Sequence, residues 1–198
     1  MRSRPPETIA TANRSCTVTT LLGVALASIG AAVSLAIAPD LGGMAAAGLA
    51  LVVTAIAAVD ARRFVIPDEL NALGIVLGLA HAGVTDPWPL EAVPYAVLRG
   101  AGLAVAFLAL RAGYRRLRGR DGLGLGDVKL AAVAGVWLDW FVVPIAIDIA
   151  AVAALAAYGV RQLASGRRMR SSGMLPFGLF FAPAIWVGWV IERWLGSF

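Results

Sequence analysis

The stretch LAAVAGVWLDWFVVPIAIDIAAVAALAAY, Leu130 to Tyr158, decides the fold. As one helix it is longer than the roughly 20 residues that cross a bilayer, and it contains both Asp139 and Asp148. As two helices, its first member is short: the 12 residues of 127–138 make roughly 18 Å of helix against about 30 Å of hydrocarbon. Basic residues choose between the two readings, because they collect on the cytoplasmic side of membrane loops. Merging the segments puts the arginines of 161–170 on the opposite side from every other basic cluster. The break therefore falls at Asp139, with the fifth segment either a short helix or a re-entrant hairpin with the sixth.

Working outward, the whole chain reads as a membrane protein. It has 198 residues, of which 60% are hydrophobic and only 15% charged, and its mean hydropathy of +0.81 excludes an ordinary water-soluble domain. Runs free of charge extend over 15–38, 41–59 and 171–191, each near the length of a membrane-spanning helix. Of the 17 Lys and Arg residues, all but Arg99 and Arg193 lie in five places: Arg2, Arg4 and Arg14; Arg62 and Arg63; Arg111 to Arg120; Lys129; and Arg161 to Arg170. With the N-terminus inside, spans near 16–38, 41–59, 69–86, 92–112, 127–139, 141–160 and 174–195 place all five inside. The opposite connectors carry acid and no base, and Trp88, Trp137, Trp140 and Trp194 fall at the outer boundary, where indole rings prefer to sit. The expectation is an all-α, polytopic integral membrane bundle of about seven transmembrane helices, the fifth short, with a cytoplasmic tail over 1–15 and one membrane-embedded domain over 16–198.

Several function classes recede on the same evidence. The net charge of +5 is accounted for by cytoplasmic arginines that attract anionic lipid headgroups, and no aromatic-basic pattern points to nucleic acid. Cys16, the one cysteine, excludes an internal disulfide and a cysteine-based zinc site. His81, the one histidine, lies near the outer end of the third span, which gives no support to a metal site. Ala36-Ile37-Ala38 resembles a small-residue cleavage site, but the long apolar run followed by Pro39 reads better as a retained helix.

Ionisable residues at membrane depth are costly and default to functional suspects. Here they are Asp60, Arg99, Asp127, Lys129 and Asp148. Asp60 ends the second span in AAVDARRFVIPDEL and Asp127 opens the fifth in GLGLGDVKL, so the topology puts both carboxylates at the cytoplasmic boundary. Taken singly, either acid is as well explained as a helix cap. Taken together, two carboxylates suit amide hydrolysis, one accepting a proton from the attacking water and the other donating to the carbonyl oxygen and then to the leaving amine. Asp127 at a helix start is favoured as base and Asp60 at a helix end as acid, the pair sharing one proton. Gly122, Gly124 and Gly126 allow positive φ and close backbone approach, so an extended substrate strand fits beside Asp127. Lys129 either tunes the pair or contacts lipid phosphate. Asp68, after Pro67, reads as a helix N-cap. Arg99 and Asp148 lie at equal depth and predict a structural ion pair between the fourth and sixth spans. The arginines of 111–120 are expected on lipid phosphates, and the 110–126 loop as a candidate lid.

Two motifs bring a resemblance. Asp60-Ala-Arg-Arg-Phe-Val-Ile-Pro-Asp68 and Gly124-Leu-Gly-Asp-Val-Lys129 resemble the signatures of the type IV prepilin leader peptidases, membrane aspartic proteases of the G-x-G-D type. Leu175-Pro-Phe-Gly-Leu-Phe-Phe181 looks like the family's Pro-Phe-Gly-Pro-Phe-Leu opening of the last helix, with Pro176 and Gly178 in place and Leu179 where proline is frequent. The resemblance covers roughly 42–195. It implies that Asp60 and Asp127 are the catalytic acids, with glycines that keep backbone bulk away from the scissile peptide. It also implies prepilin or pseudopilin precursors as partners, cut behind a short basic leader at the cytoplasmic face of a bacterial inner membrane, and no cofactor or metal. Longer members also methylate the new N-terminus and carry paired CxxC motifs, which this chain lacks, so it resembles the short, peptidase-only branch that serves Flp or Tad-type pili. Two other classes compete. A small transporter would use Asp60, Asp127 and Asp148 as a relay, but a relay needs acids staggered across the bilayer; a non-catalytic membrane subunit of a pilus or secretion machine would tolerate loss of both acids. Oligomeric state is not legible.

Overall fold

A computed structural model of the chain describes residues 6–119, 122–165 and 176–196. Arg2, Arg4, Arg120, Arg167, Arg168, Arg170 and Leu175 lie outside the described residues. Seven helices follow one another: α1 (Pro6–Ile37), α2 (Leu41–Arg63), α3 (Asp68–Thr85), α4 (Pro89–Arg118), α5 (Leu125–Trp137), α6 (Val142–Ser165) and α7 (Phe177–Leu195). The expected tail over 1–15 is helical from Pro6 on, as the beginning of α1. Four helices are long and apolar enough to cross a membrane: α1 from Thr20, α2, α4 and α6. The shorter α3 and α7, of 18 and 19 residues, carry Asp68 and Glu69, and Glu192 and Arg193, respectively.

The decisive stretch does break at Asp139. Leu138 closes α5 in an extended conformation (ψ 147°), and the Asp139 carbonyl accepts the N–H groups of Val142 and Val143 to start α6. The 13 residues of α5 give about 20 Å of helix, short for a bilayer. From Leu130 to Leu138 every residue except Ala132 is buried, because α3, α4 and α7 all pack on this helix. A helix sheathed by protein has no need to match the hydrocarbon thickness. Its tightest neighbour is α4. A side-chain carbon on Gly135 would stand 2.7 Å from the Arg99 carbonyl oxygen and 2.8 Å from Gly100 Cα, so the two backbones touch where both residues are glycine, the small-residue crossing favoured between membrane helices.

The core runs through Leu49, Ile56, Leu130, Val133, Phe181 and Ile185. Leu21, Leu98, Leu108, Leu155 and Leu163 point outward and are exposed, an apolar exterior suited to lipid. α6 lies at the periphery against α7 and makes no substantial contact with α4. That overturns the expected Arg99–Asp148 pair, since Asp148 sits on the exposed face of α6. Arg99 instead reaches Asp139 in the α5–α6 turn, Nη1 to Oδ1 at 3.5 Å, and lies over the Tyr95 ring at 5.1 Å. The Asp139 N–H donates to Glu192 Oε2 at 3.1 Å, so α7 joins the cluster. Arg193 pairs with Asp40 at 3.4 Å, and Asp40 also caps α2 by accepting the Gly43 N–H at 2.8 Å. Trp88, Trp140 and Trp194 are exposed at this end, but Trp137 is buried. Its indole N–H donates to the Gly74 carbonyl at 2.8 Å and its ring lies 4.9 Å from that of His81, so a core hydrogen bond takes it away from the membrane boundary.

Candidate active site

At the opposite end of the bundle three chain segments meet: the last turn of α2, the start of α5 and the start of α7. Asp60 is buried, with 5% of its surface exposed. α2 ends just beyond it at Phe64, whose left-handed backbone (φ 53°) lets its N–H return to the Asp60 carbonyl at 2.9 Å. A phenylalanine there is strained by about 1–2 kcal/mol, and the strain turns the chain into the Val65–Pro67 segment. The Ile66 side chain, also buried, fills the space between the three segments. A side-chain carbon on Gly126 would lie 3.1 Å from Ile66 Cβ, and one on Gly178 would lie 2.7 Å from Ile66 Cδ1 and 2.9 Å from Asp60 Oδ2. The isoleucine of the first motif is thus the spacer on which the glycines of the other two close.

Each acid has an oxygen held by the backbone. The Leu179 N–H donates to Asp60 Oδ2 at 2.8 Å, and the Gly124 N–H donates to Asp127 Oδ2 at 3.2 Å, the latter being half of a capping box at the third position of α5. The segments that carry the two acids close on one side chain: Gly178, against Asp60 Oδ2, and Gly126, next in sequence to Asp127, both lie against Ile66. The contrast expected between the two helix ends is reduced here. Asp127 lies in the first turn of α5 and Asp60, although on the last turn of α2, also receives an amide from the first turn of α7. The positive ends of two helices therefore face the two acids, and the division into base and acid loses its electrostatic ground.

The type IV leader peptidase family matches residues 47–160, more than half of the chain, and that range holds both aspartates. The chain belongs to the type IV leader peptidase family. It is 38% identical over 146 residues, 73% of its length and 45% of the relative's, to a prepilin leader peptidase/N-methyltransferase of Burkholderia pseudomallei strain 1026b. It is 35% identical over 131 residues to the leader peptidase HopD of Escherichia coli, covering 82% of that protein, and 29% identical over 183 residues to the prepilin leader peptidase/N-methyltransferase of Aeromonas hydrophila. The chain thus spans about half the length of the first of these relatives. No solved structure matches it.

The other residues of the family motifs fall around the dyad with altered roles. Asp68 is not the N-cap of α3; Pro67 holds that position, with extended backbone (ψ 137°) and no capping side chain. Asp68 instead accepts from Lys129 Nζ at 2.6 Å, joining the starts of α3 and α5 across an exposed surface. Lys129 thus contacts Asp68, and no contact with either dyad acid or with lipid is needed to explain it. None of Gly122, Gly124 and Gly126 takes a positive φ; among the described glycines only Gly119 does. They are small because neighbours press on them: Gly126 against Ile66 and Gly122 against the Tyr114 ring, while the space at Gly124 is limited by Asp127 itself. Pro176 caps α7, leaving Gly178 and the Leu179 amide to meet Asp60. The 110–126 stretch is not a long lid, since α4 remains helical to Arg118 and α5 starts at Leu125. Sequence reading missed the Leu179 amide and the Arg111–Leu123 hydrogen bond of 2.7 Å, which takes Arg111 away from the lipid phosphates expected for it. Among the described residues no group of histidine, cysteine and acidic side chains is arranged to hold a metal ion.

Proposed function

We propose that this chain is a membrane-embedded aspartic endopeptidase that removes the short basic leader from prepilin or pseudopilin precursors at the cytoplasmic face of the bacterial inner membrane, with Asp60 and Asp127 as its catalytic acids. The observation that carries the reading is that the segments bearing these two acids close on one side chain, Ile66, through Gly126 and Gly178, in a chain of the leader peptidase family. Two carboxylates that repel one another work with one proton between them. The ionised member draws a proton from a water attacking the scissile carbonyl, and the protonated member donates to the carbonyl oxygen as the tetrahedral intermediate forms. As the intermediate collapses, the proton taken from water passes to the leaving amine and a gem-diol hydroxyl returns its proton to the acid that protonated the carbonyl oxygen, which restores the starting state of the pair. The backbone N–H groups of Leu179 and Gly124 each fix one carboxylate oxygen, so the acids are oriented before substrate arrives. Within these residues the peptidase step alone is assigned, with no methyl transfer. The test is coexpression of the chain with a tagged prepilin precursor, read by the size shift on leader removal. The wild-type chain and the Asp139→Asn variant release the leader; Asp60→Asn and Asp127→Asn do not. Leader removal that persists in both of these variants contradicts the assignment.

A further inference from the structure

The position of Asp127 depends on where α5 begins, and α4 touches the chain just ahead of that point twice. Arg111 Nη1 donates to the Leu123 carbonyl oxygen at 2.7 Å, one residue before the Gly124 that caps α5. Gly122 lies against the ring of Tyr114, so closely that a side-chain carbon there would be 2.5 Å from Cδ1 and Cε1. We propose that Arg111 and Tyr114 are positioning residues for the dyad: they hold the 122–124 segment so that α5 begins with the Asp127 carboxylate turned toward Asp60. The inference rests on the peptidase reading of those two acids.

The rest of the α4–α5 pair supports it. These two helices form the most extensive helix contact in the bundle, and they touch backbone to backbone at Gly100 and Gly135. Arg111 lies 11 residues beyond Gly100, and Leu123 lies 12 residues before Gly135. On antiparallel helices both separations are about 17 Å, so the guanidinium meets the loop at the far end of the rail that the glycine crossing begins. A carbonyl ahead of an N-cap has no helical partner of its own, and the Arg111 fork supplies one. Contacts on Gly122 and on Leu123, two consecutive residues, limit both sliding and rotation of the loop. The Gly124 N–H to Asp127 bond then carries that restraint to the carboxylate. A lysine at 111 reaches the carbonyl with a point charge and lacks the planar fork, which makes it the informative conservative variant.

The test uses the full chain in lipid nanodiscs, with two readouts on the same samples: hydrogen exchange of the 122–130 segment, and steady-state cleavage of a purified prepilin precursor. Arg111→Ala is expected to speed exchange of 122–130 about tenfold or more and leave 56–64 unchanged. It should lower kcat about tenfold to a hundredfold and change KM less than about twofold. Arg111→Lys should recover part of both effects, and Arg116→Ala, on an exposed face of the same helix, should produce neither. Gly122→Ala, which drives a methyl group into the Tyr114 ring without changing charge, should reproduce the kcat loss; it carries the test if Arg111→Ala does not fold. The proposal is overturned if exchange of 122–130 stays at the wild-type rate, if exchange rises equally in α2, or if the loss falls on KM with kcat intact. A wild-type protein that cleaves nothing, with the exchange contrast present, counts against the peptidase reading and leaves the clamp standing.

Discussion

The two ends of this bundle use the same ingredients for different ends. At the Asp139 end, charges meet charges: Arg99 with Asp139, Arg193 with Asp40, and Glu192 on the Asp139 amide. Arg99–Asp139 joins α4 to the α5–α6 turn, and Arg193–Asp40 joins α7 to the α1–α2 turn. At the Asp60 end two acids flank one buried isoleucine, and what each receives is a backbone N–H. Of the cations at that end, Lys129 is held on Asp68 and Arg111 on the Leu123 carbonyl. Pairing opposite charges fixes helices in place; two carboxylates brought to one site favour a shared proton.

That contrast can be broken by moving substitutions between the ends. The largest effects are expected at the dyad. Asp60→Asn and Asp127→Asn should each lower the rate of leader cleavage by about 10²–10⁴, with thermal unfolding in detergent unchanged or shifted upward. Asp139→Asn should do the reverse, holding kcat within about twofold of wild type and costing about 2 kcal/mol in denaturant unfolding. This is less than a fully buried pair would cost, because Asp139 is half exposed and only Arg99 is left uncompensated.

Gly178→Ala tests the closeness of the dyad end. Its methyl group would meet Ile66 and Asp60 at less than 3.0 Å, which should cost about 1–3 kcal/mol as overpacking and lower activity in a cleavage assay along with stability. Leu179→Pro is a finer probe. It removes the one N–H that Asp60 accepts at a first-turn position where helices use no amide of their own, and the preceding Gly178 has no Cβ to clash. Proline is frequent at this position in the motif that the chain resembles, so we expect a folded protein whose rate falls by no more than about threefold, equivalent to about 0.7 kcal/mol of transition-state stabilisation, visible in single-turnover kinetics. The smallest effect belongs to Lys129→Ala. Its pair with Asp68 is exposed, so stability should change by less than about 1 kcal/mol, and cleavage should change less than with Leu179→Pro.

Much of this architecture was legible in the sequence. Charge-free runs and basic clusters located all seven helices, and the break at Asp139 followed from the side on which 161–170 had to lie. The two acids proposed as the dyad stood out because each carries a recognisable neighbourhood, Ile66-Pro67-Asp68 after one and Gly124 and Gly126 before the other. What could not be read was contact. Arg99 and Asp148 share a depth, but depth along a helix says nothing of which helices adjoin, and α6 lies outside the reach of α4. Trp137 was placed at the boundary by its type, whereas a carbonyl on α3 draws it into the core. The glycines were expected for their backbone freedom and are required for lack of bulk. The Leu179 amide has no side-chain signature at all, since every residue but proline carries the same N–H.

The account stands on Asp60 and Asp127 acting as one unit, and the most direct measurement of that is the kinetic comparison of Asp60→Asn, Asp127→Asn and the double variant on one precursor. If the two acids share a proton in a single reaction, the double variant should be no slower than the slower single variant, because either loss already disables the pair. Losses that multiply in the double variant, or a single variant that keeps the wild-type rate, would contradict it.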